Sequence, residues 1–342
     1  MREMPAPAVS VVVPVYNSEL SLPLLVERLI PVLQMHTSTY EVIFVEDGSR
    51  DSSWSVVQDL AGRYSFIVGI RLMRNYGQHN ALLCGIRAAR HQVIVTIDDD
   101  LQTPPEEIPT VLRRLDEGCD VAYGTPREQQ HGLLRNLAST VTKIVLQGAM
   151  GAETARSVGA FRAFRTSLRA AFADYRGPFV SIDVLLTWGT NRFATVMVRH
   201  DPRLQGKSNY TFSSLLRHAI NMMTGFSTIP LRLASLVGFA FTAFGGILLL
   251  FTLIRYLLQG TAVPGFVFLA STITILSGAQ LFALGVMGEY LARMHFRMMD
   301  KPPYAVLCRA TGGETISGGE VQSTLPENEE FLRTVVAPRG QA

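Results

Sequence analysis

Cysteine is scarce in this chain: Cys84, Cys119 and Cys308 are the only three in 342 residues, and no CxxC pair occurs. That excludes a cross-linked secreted framework and suits a reducing cytosol. Net charge is as limited, since 31 Lys and Arg stand against 28 Asp and Glu for a formal +3. So slight an excess excludes a nucleic-acid partner, which requires a dense basic footprint. A signal peptide is not expected either, because the apolar start "VSVVVPVY" is short and interrupted by Pro14.

Two long stretches lack charge altogether. Between Leu233 and Ile254 there are 22 residues without a charged side chain, and after Arg255 none recurs until Glu289, with Pro264 and Gly265 dividing that second run. A helix needs about 20 residues to cross a hydrocarbon core of about 30 Å. Neither run offers the polar face that a core helix of a soluble protein presents to water. Two transmembrane helices, at about 231–256 and 265–288, are therefore expected. Lys207, Arg217 and Arg232 precede the first, Arg293, Arg297 and Lys301 follow the second, and the turn between them carries only Arg255. Positive-inside bias then puts both termini in the cytoplasm, in a multi-pass protein of the inner or plasma membrane.

What remains is rich in aliphatic residues, 48% hydrophobic overall, enough for a sizeable core and two structural units. Short β-rich runs occur at 9–16, 40–49, 66–72, 92–97 and 120–124, with helical patterns between most of them. That alternation predicts an α/β fold built on a parallel sheet, whose ligands bind beyond the carboxyl ends of the strands. In the helix after Asp51, Trp54 falls with Val57 and Ala61 at core spacing, and Glu106 and Glu107 suit the first turn of the helix after "TPP". The segment 214–230 sorts apolar from polar residues, as does a helix in the headgroup layer or one packed on the first domain. The expected organisation is a catalytic domain over 1–213, an interfacial helix over 214–230, two spans within 231–290, a juxtamembrane segment over 291–308 and a disordered tail over 309–342.

The strand ends carry the chemistry. "IDDDLQTPPEE" (97–107) places Asp98, Asp99 and Asp100 side by side after a buried run. Unrelieved, such crowding raises the pKa of at least one acid. A divalent cation would relieve it; a solvated acidic loop that caps the next helix is the alternative. In an extended segment Asp98 and Asp100 share a face and Asp99 points away. Gln102 adds a neutral oxygen if the extension continues, and substrate phosphates complete the octahedron that Mg²⁺ or Mn²⁺ prefers. Asp47 in "VEDGSRD" can accept from ribose or base donors, or cap a turn. Arg74 and Asn75 end another strand, while His79 reads as a hydrogen-bonding or capping residue outside the catalytic set. Arg135 and Ser139 in "RNLAST" share a helical face, either as a phosphate cradle or as a solvated basic surface.

The series "PVYN", "VEDGS", "RNYGQH", "DDDLQTPPEEIP", "RNLAS", "GAFRAF", "RLQGKSNY" and "PLRLASLVG", followed by two spans, resembles the family-two glycosyltransferases that load a sugar onto a polyprenyl phosphate. That group includes dolichol-phosphate mannose synthase and the bactoprenol glucosyltransferases, and "RNYGQH" and "LQTPPEEIP" are most like its undecaprenyl-phosphate aminoarabinose branch. The resemblance implies a GT-A, Rossmann-like catalytic domain with a mainly parallel sheet ahead of the membrane hairpin. It implies nucleotide contacts at Pro14, Tyr16, Asp47 and Asp98, with Glu19 the carboxylate nearest the family's "YNE" glutamate, whose place Ser18 takes. It further implies metal contacts at Asp98, Asp100 and Gln102, lipid-phosphate contacts at Arg127, Arg135 and Ser139, and site arginines for phosphate at Arg162 and Arg203. Two more departures are "VEDGS" for "VDDGS", and Asn209 for lysine in "GKSNY", with Lys207 nearby.

The implied reaction is inverting, with Asp98, Asp100 and Arg135 as its catalytic set, a UDP-sugar donor, a polyprenyl phosphate acceptor and a homo-oligomer, such as a tetramer, as the assembly. A phosphate monoester with a second pKa near ~6 is already anionic at cytosolic pH, which removes the need for a strong base. Processive polysaccharide synthases carry a QxxRW segment, and neither Trp54 nor Trp188 lies in one. A membrane-tethered nucleotide-sugar sensor without turnover is the alternative from another class.

Overall fold

A computed structural model describes residues 6–126, 158–177, 180–201, 229–259, 265–299 and 301–317. Arg127, Arg135, Ser139, Arg203, Lys207, Asn209 and most of the expected interfacial helix lie outside the described residues. The chain forms two units, Met1–Thr211 with Lys301–Ala342, and Phe212–Asp300.

The first unit is built on four parallel strands, β1 (Ala8–Val15), β2 (Thr39–Glu46), β3 (Ile67–Leu72) and β4 (Val93–Thr96), in the spatial order β3-β2-β1-β4. Along β1 the side chains alternate. Val9, Val11, Val13 and Val15 meet α1 (Ser21–His36) and α2 (Ser53–Arg63) on one face, while Val12 meets α3 (Gln78–Ala88) on the other. A strand buried on both faces has to be valine-rich throughout, which is why "VSVVVPV" was legible. Trp54 is 8% exposed in the α2 core, as its spacing predicts. Helix α4 (Ile108–Asp116) packs into the same core, and Glu106 just ahead of it pairs with Arg28 on α1 at 2.7 Å.

Five further strands extend the sheet: β5 (Val121–Pro126), β6 (Arg162–Arg165), β7 (Phe193–Val198), β8 (Val306–Thr311) and β9 (Glu314–Ser317). The nine-stranded order is β7-β5-β6-β4-β1-β2-β3-β8-β9. Only β6 and β8 run against the rest among the described strands, so the expected mainly parallel α/β sheet is present, with antiparallel insertions that periodicity did not reveal. Helix α5 (Ile182–Thr187) lies over the β4–β6 side with the α3 core.

The tail expectation needs correction. Residues 306–317 form a hairpin on the edge of β3, closed by Gly312 and Gly313 at φ +58° and +85°. Two consecutive left-handed residues are what a two-residue hairpin turn demands, and glycine adopts them without strain. The Gly-rich composition marks a turn here, and the ordered domain therefore extends past 309 to at least 317.

The second unit holds α6 (Ile229–Gln259) and α7 (Phe266–Met298), packed on one another. Ile275–Ala292 in α7 is long and apolar enough to cross a membrane; the apolar stretch Leu231–Ile247 in α6 is shorter. Large apolar side chains face outward on both helices, including Phe239, Leu257, Leu258 and Leu281, each more than two-thirds exposed. Helix α7 continues to Met298, so the segment expected to be juxtamembrane begins as helix and ends as strand β8.

Candidate active site

The reversal of strand order between β1 and β4 makes a crevice at their carboxyl ends. β1 pairs with β4 only over Val9–Val12, and the last rung runs from the Ile97 N–H to the Val12 carbonyl at 3.2 Å. Backbone groups alternate sides along a strand, so Pro14 faces the β4 side beyond that rung, where its missing N–H forfeits no ladder bond. Pro14 is buried, and its place is the point where the two strands part. Tyr16 stands at the lip, 39% exposed.

The three aspartates line the opposite lip, but the backbone that carries them is a turn. Asp99 and Asp100 are turn residues and Leu101 has φ +58°. The extended geometry expected through Gln102 is therefore absent. The Asp100 carboxylate accepts the Gln102 N–H at 3.1 Å, and the Gln102 carbonyl accepts the Asp201 N–H at 2.7 Å. Gln102 is tied into this turn through its backbone N–H and carbonyl. Asp98 accepts from the Gln78 amide at 2.7 Å. Asp99 is engaged by the β1 loop: its Oδ2 accepts the Tyr16 N–H at 3.2 Å and the Ser18 hydroxyl. Desolvation pushes its carboxyl up to about 6, against the pull of those two donors.

Asp47 takes the turn-capping role rather than an open one. It is 3% exposed, and its two oxygens accept the N–H groups of Tyr76 at 2.7 Å and Gly77 at 2.8 Å. Burial pushes its carboxyl up to about 6, partly offset by those bonds. Gly48 follows at φ +68°, and a Cβ there would lie 2.5 Å from the Asn75 nitrogen. The β2 and β3 loops are therefore pressed together, and Asp47 fixes the first turn of α3. Gln78 on that turn then holds Asp98, so Asp47 reaches the acidic cluster through α3. Glu46 is fully buried, paired with Arg71 Nε at 3.1 Å and accepting the Ser49 N–H.

Two other expected ligand residues are placed otherwise. Glu19 accepts the Ser52 N–H at 2.9 Å while its own N–H donates to Asp51 at 3.2 Å, which ties it to the start of α2. Arg162 is 1% exposed and donates to Asp183 at the start of α5 and to the Thr96 hydroxyl at 3.1 Å. The Tyr123 hydroxyl donates to the same Asp183 at 3.0 Å. A guanidinium enclosed this way braces β4 and β6 against α5. His79 accepts the Ile182 N–H at 3.4 Å, the hydrogen-bonding role foreseen for it. Sequence reasoning missed Asp183, Ser18 and Gln78; the serine at position 18, foreign to the family pattern, was the available signal for one of them.

Among the described residues no group of three His, Cys, Asp or Glu is arranged to hold a metal ion. Asp98 and Asp100 are two hard-oxygen donors at a strand end, a set that fits a divalent cation whose remaining ligands come from substrate phosphates.

The profile of the family "Glycosyl transferase family 2" matches residues 10–174. The undecaprenyl-phosphate 4-deoxy-4-formamido-L-arabinose transferase of Shewanella sediminis is 35% identical over 316 residues, 90% of this chain and 96% of that protein. The chain belongs to glycosyl transferase family 2. A protein of the same name from Pseudomonas aeruginosa is 36% identical over 91% of this chain and 93% of its own, so the glycosyltransferase relationship runs past the sheet into the second unit. In fold, the chain is also similar to glucosyl-3-phosphoglycerate synthase from Mycobacterium tuberculosis, solved with Mn²⁺, UDP and glucosyl-3-phosphoglycerate. The TM-score is 0.49 at 17% identity, covering 64% of this chain and 78% of the other.

Proposed function

We propose that this glycosyltransferase moves a sugar from a UDP-sugar to the phosphate of an undecaprenyl-type polyprenyl phosphate at the cytoplasmic membrane face, with inversion and with Mg²⁺ or Mn²⁺. The observation that carries the reading is the Asp98 and Asp100 pair at the β1/β4 crevice, in a chain 35% identical to an undecaprenyl-phosphate sugar transferase over 90% of its length. Asp98 and Asp100 would hold the ion, which when bound stabilises charge on the departing diphosphate. Tyr16 at the crevice lip is placed to stack on the base, and Asp98, held by Gln78, to meet ribose or metal. Arg135, Ser139, Arg127 and Arg203 are retained as the phosphate-binding set by resemblance. An acceptor phosphate oxygen attacks the anomeric carbon as the bond to the nucleoside diphosphate breaks. The acceptor is already an anion, so the chain needs no proton abstractor.

Chain connectivity supports a two-span anchor. Strands β1 to β7 before the second unit and β8 and β9 after it build one sheet, with β8 hydrogen-bonded to β3. On this reading Ile275–Ala292 of α7 and the apolar run of α6 are the two crossings. The basic residues on both flanks favour the cytoplasm for the sheet. A lipid-linked acceptor whose phosphate emerges at the surface gives the anchor its purpose.

The test is a screen of nucleotide sugars, including UDP-4-deoxy-4-formamido-L-arabinose, with membrane-embedded full-length protein and undecaprenyl phosphate. Formation of a sugar-lipid with an inverted anomeric linkage is expected. Donor binding without any sugar-lipid product would instead identify a sensor.

A further inference from the structure

Asp99 is the middle carboxylate of a crowded acidic turn, and its Oδ2 is engaged by the β1 loop. We propose that it is a positioning residue: with Ser18 it clasps the β1 loop that carries Tyr16 to the β4 loop that carries Asp98 and Asp100. The inference rests on the donor-binding role proposed for that crevice.

The β1 loop is fastened on both sides. Toward α2, the Ser18 N–H donates to the Ser53 hydroxyl at 2.7 Å and the Asn17 N–H to the Ser49 hydroxyl at 3.0 Å, while Asn17 accepts the Arg50 N–H at 2.8 Å. Toward β4, the Asp99 carboxylate is the joining group, holding the Tyr16 N–H and the Ser18 hydroxyl. Asn17 at φ +54° turns the chain between them. No β1–β4 rung is present above Val12 to do this work, since Pro14 occupies the next position on that side. The clasp replaces a ladder that proline forbids.

Position 18 departs from the family pattern that the sequence otherwise resembles. The family pattern has glutamate there, and a carboxylate at 18 would confront Asp99 across a short gap, a costly like-charge contact. Here the β1 loop offers a hydroxyl donor and the β4 loop supplies the acid. A nucleoside diphosphate must reach from the base, at the Tyr16 lip, to its phosphates, at Asp98 and Asp100. The spacing of the two loops is therefore the dimension it reads, and a misplacement of about 1 Å can cost up to roughly 100-fold in rate.

The experiment measures donor and acceptor KM, kcat and thermal unfolding for the full-length protein and its variants. Asp99→Ala is expected to raise donor KM about tenfold, with acceptor KM held within about twofold. Asp99→Asn, which keeps an acceptor oxygen, and Ser18→Ala are expected to fall between that and wild type. Ser18→Asp, which opposes two carboxylates, should exceed Asp99→Ala, and the exchanged pair Ser18→Asp with Asp99→Ser should recover to within about threefold of wild type. Donor KM unchanged in Asp99→Ala, or an exchanged pair no better than Ser18→Asp alone, overturns the clasp. If the wild type forms no sugar-lipid with any UDP-sugar, the functional reading fails. Unfolding of the same variants still judges the clasp: recovery of the midpoint in the exchanged pair supports it, and additive losses overturn it.

Discussion

The ends of β2 and β4 both leave the sheet through adjacent acids, Glu46 and Asp47 at one, Asp98 to Asp100 at the other, and the two ends are put to different use. At β2 the acids are sealed. Glu46 is fully buried against Arg71, and Asp47 spends both oxygens on backbone N–H groups of the α3 turn. At β4, one acid turns inward as a clasp, and Asp98 and Asp100 stay half-buried at the crevice lip. The same side chain serves as a brace where donors and burial enclose it, and lines the crevice where the strands part.

The comparison breaks most sharply at Asp100. Asp100→Asn is expected to lower sugar transfer by about 10³-fold while the unfolding midpoint stays near wild type, since one charge of the cation pair is lost and little packing changes. Transfer at wild-type rate would remove Asp100 from the pair. Asp47→Ala should do the reverse and destabilise the fold by about 3 kcal/mol, because two buried N–H groups lose their acceptors. Chemical denaturation measures this, and a loss under about 0.5 kcal/mol would show that water satisfies the turn.

A pH series sharpens the same contrast. The Asp47 carboxyl is raised from 3.8 to about 6 by burial, so between those values the folded state holds a proton that the unfolded chain has released. Stability contributed by that proton is fully present below about 4 and is lost as pH rises toward about 6, by about 2 kcal/mol. Asp47→Asn should flatten that slope, and an unaltered slope would assign it to another group. Gln102→Ala stands last: among the described residues its hydrogen bonds at the site are made by its backbone, so activity should stay within about threefold of wild type. A loss as large as that of Asp100→Asn would restore Gln102 to the cation's ligands.

Much of the frame was legible in residue order. The valine-rich runs of β1, β2 and β4 are buried on both faces, and the acids follow at their ends. Three of the four strands that escaped notice, β6, β8 and β9, share a reason. β6 reads "RAFR", and its first arginine is buried only because Asp183 and Thr96 arrive from distant segments. β8 and β9 look like the head of a polar tail until β3 offers an unpaired edge.

Local sequence by itself determined where strands β1 to β5 and the helices between them form, where the charge-free helices run, and that acids gather at strand ends. These depend on periodicity, propensity and the cost of burying charge, which a short window of chain contains. Only tertiary structure decided which acids are consumed and which are presented. Hydrogen-bond partners for Asp47, Asp99 and Arg162 lie 29, 83 and 21 residues away in sequence, respectively, and no local pattern records which distant donor or acceptor will meet a carboxylate or a guanidinium.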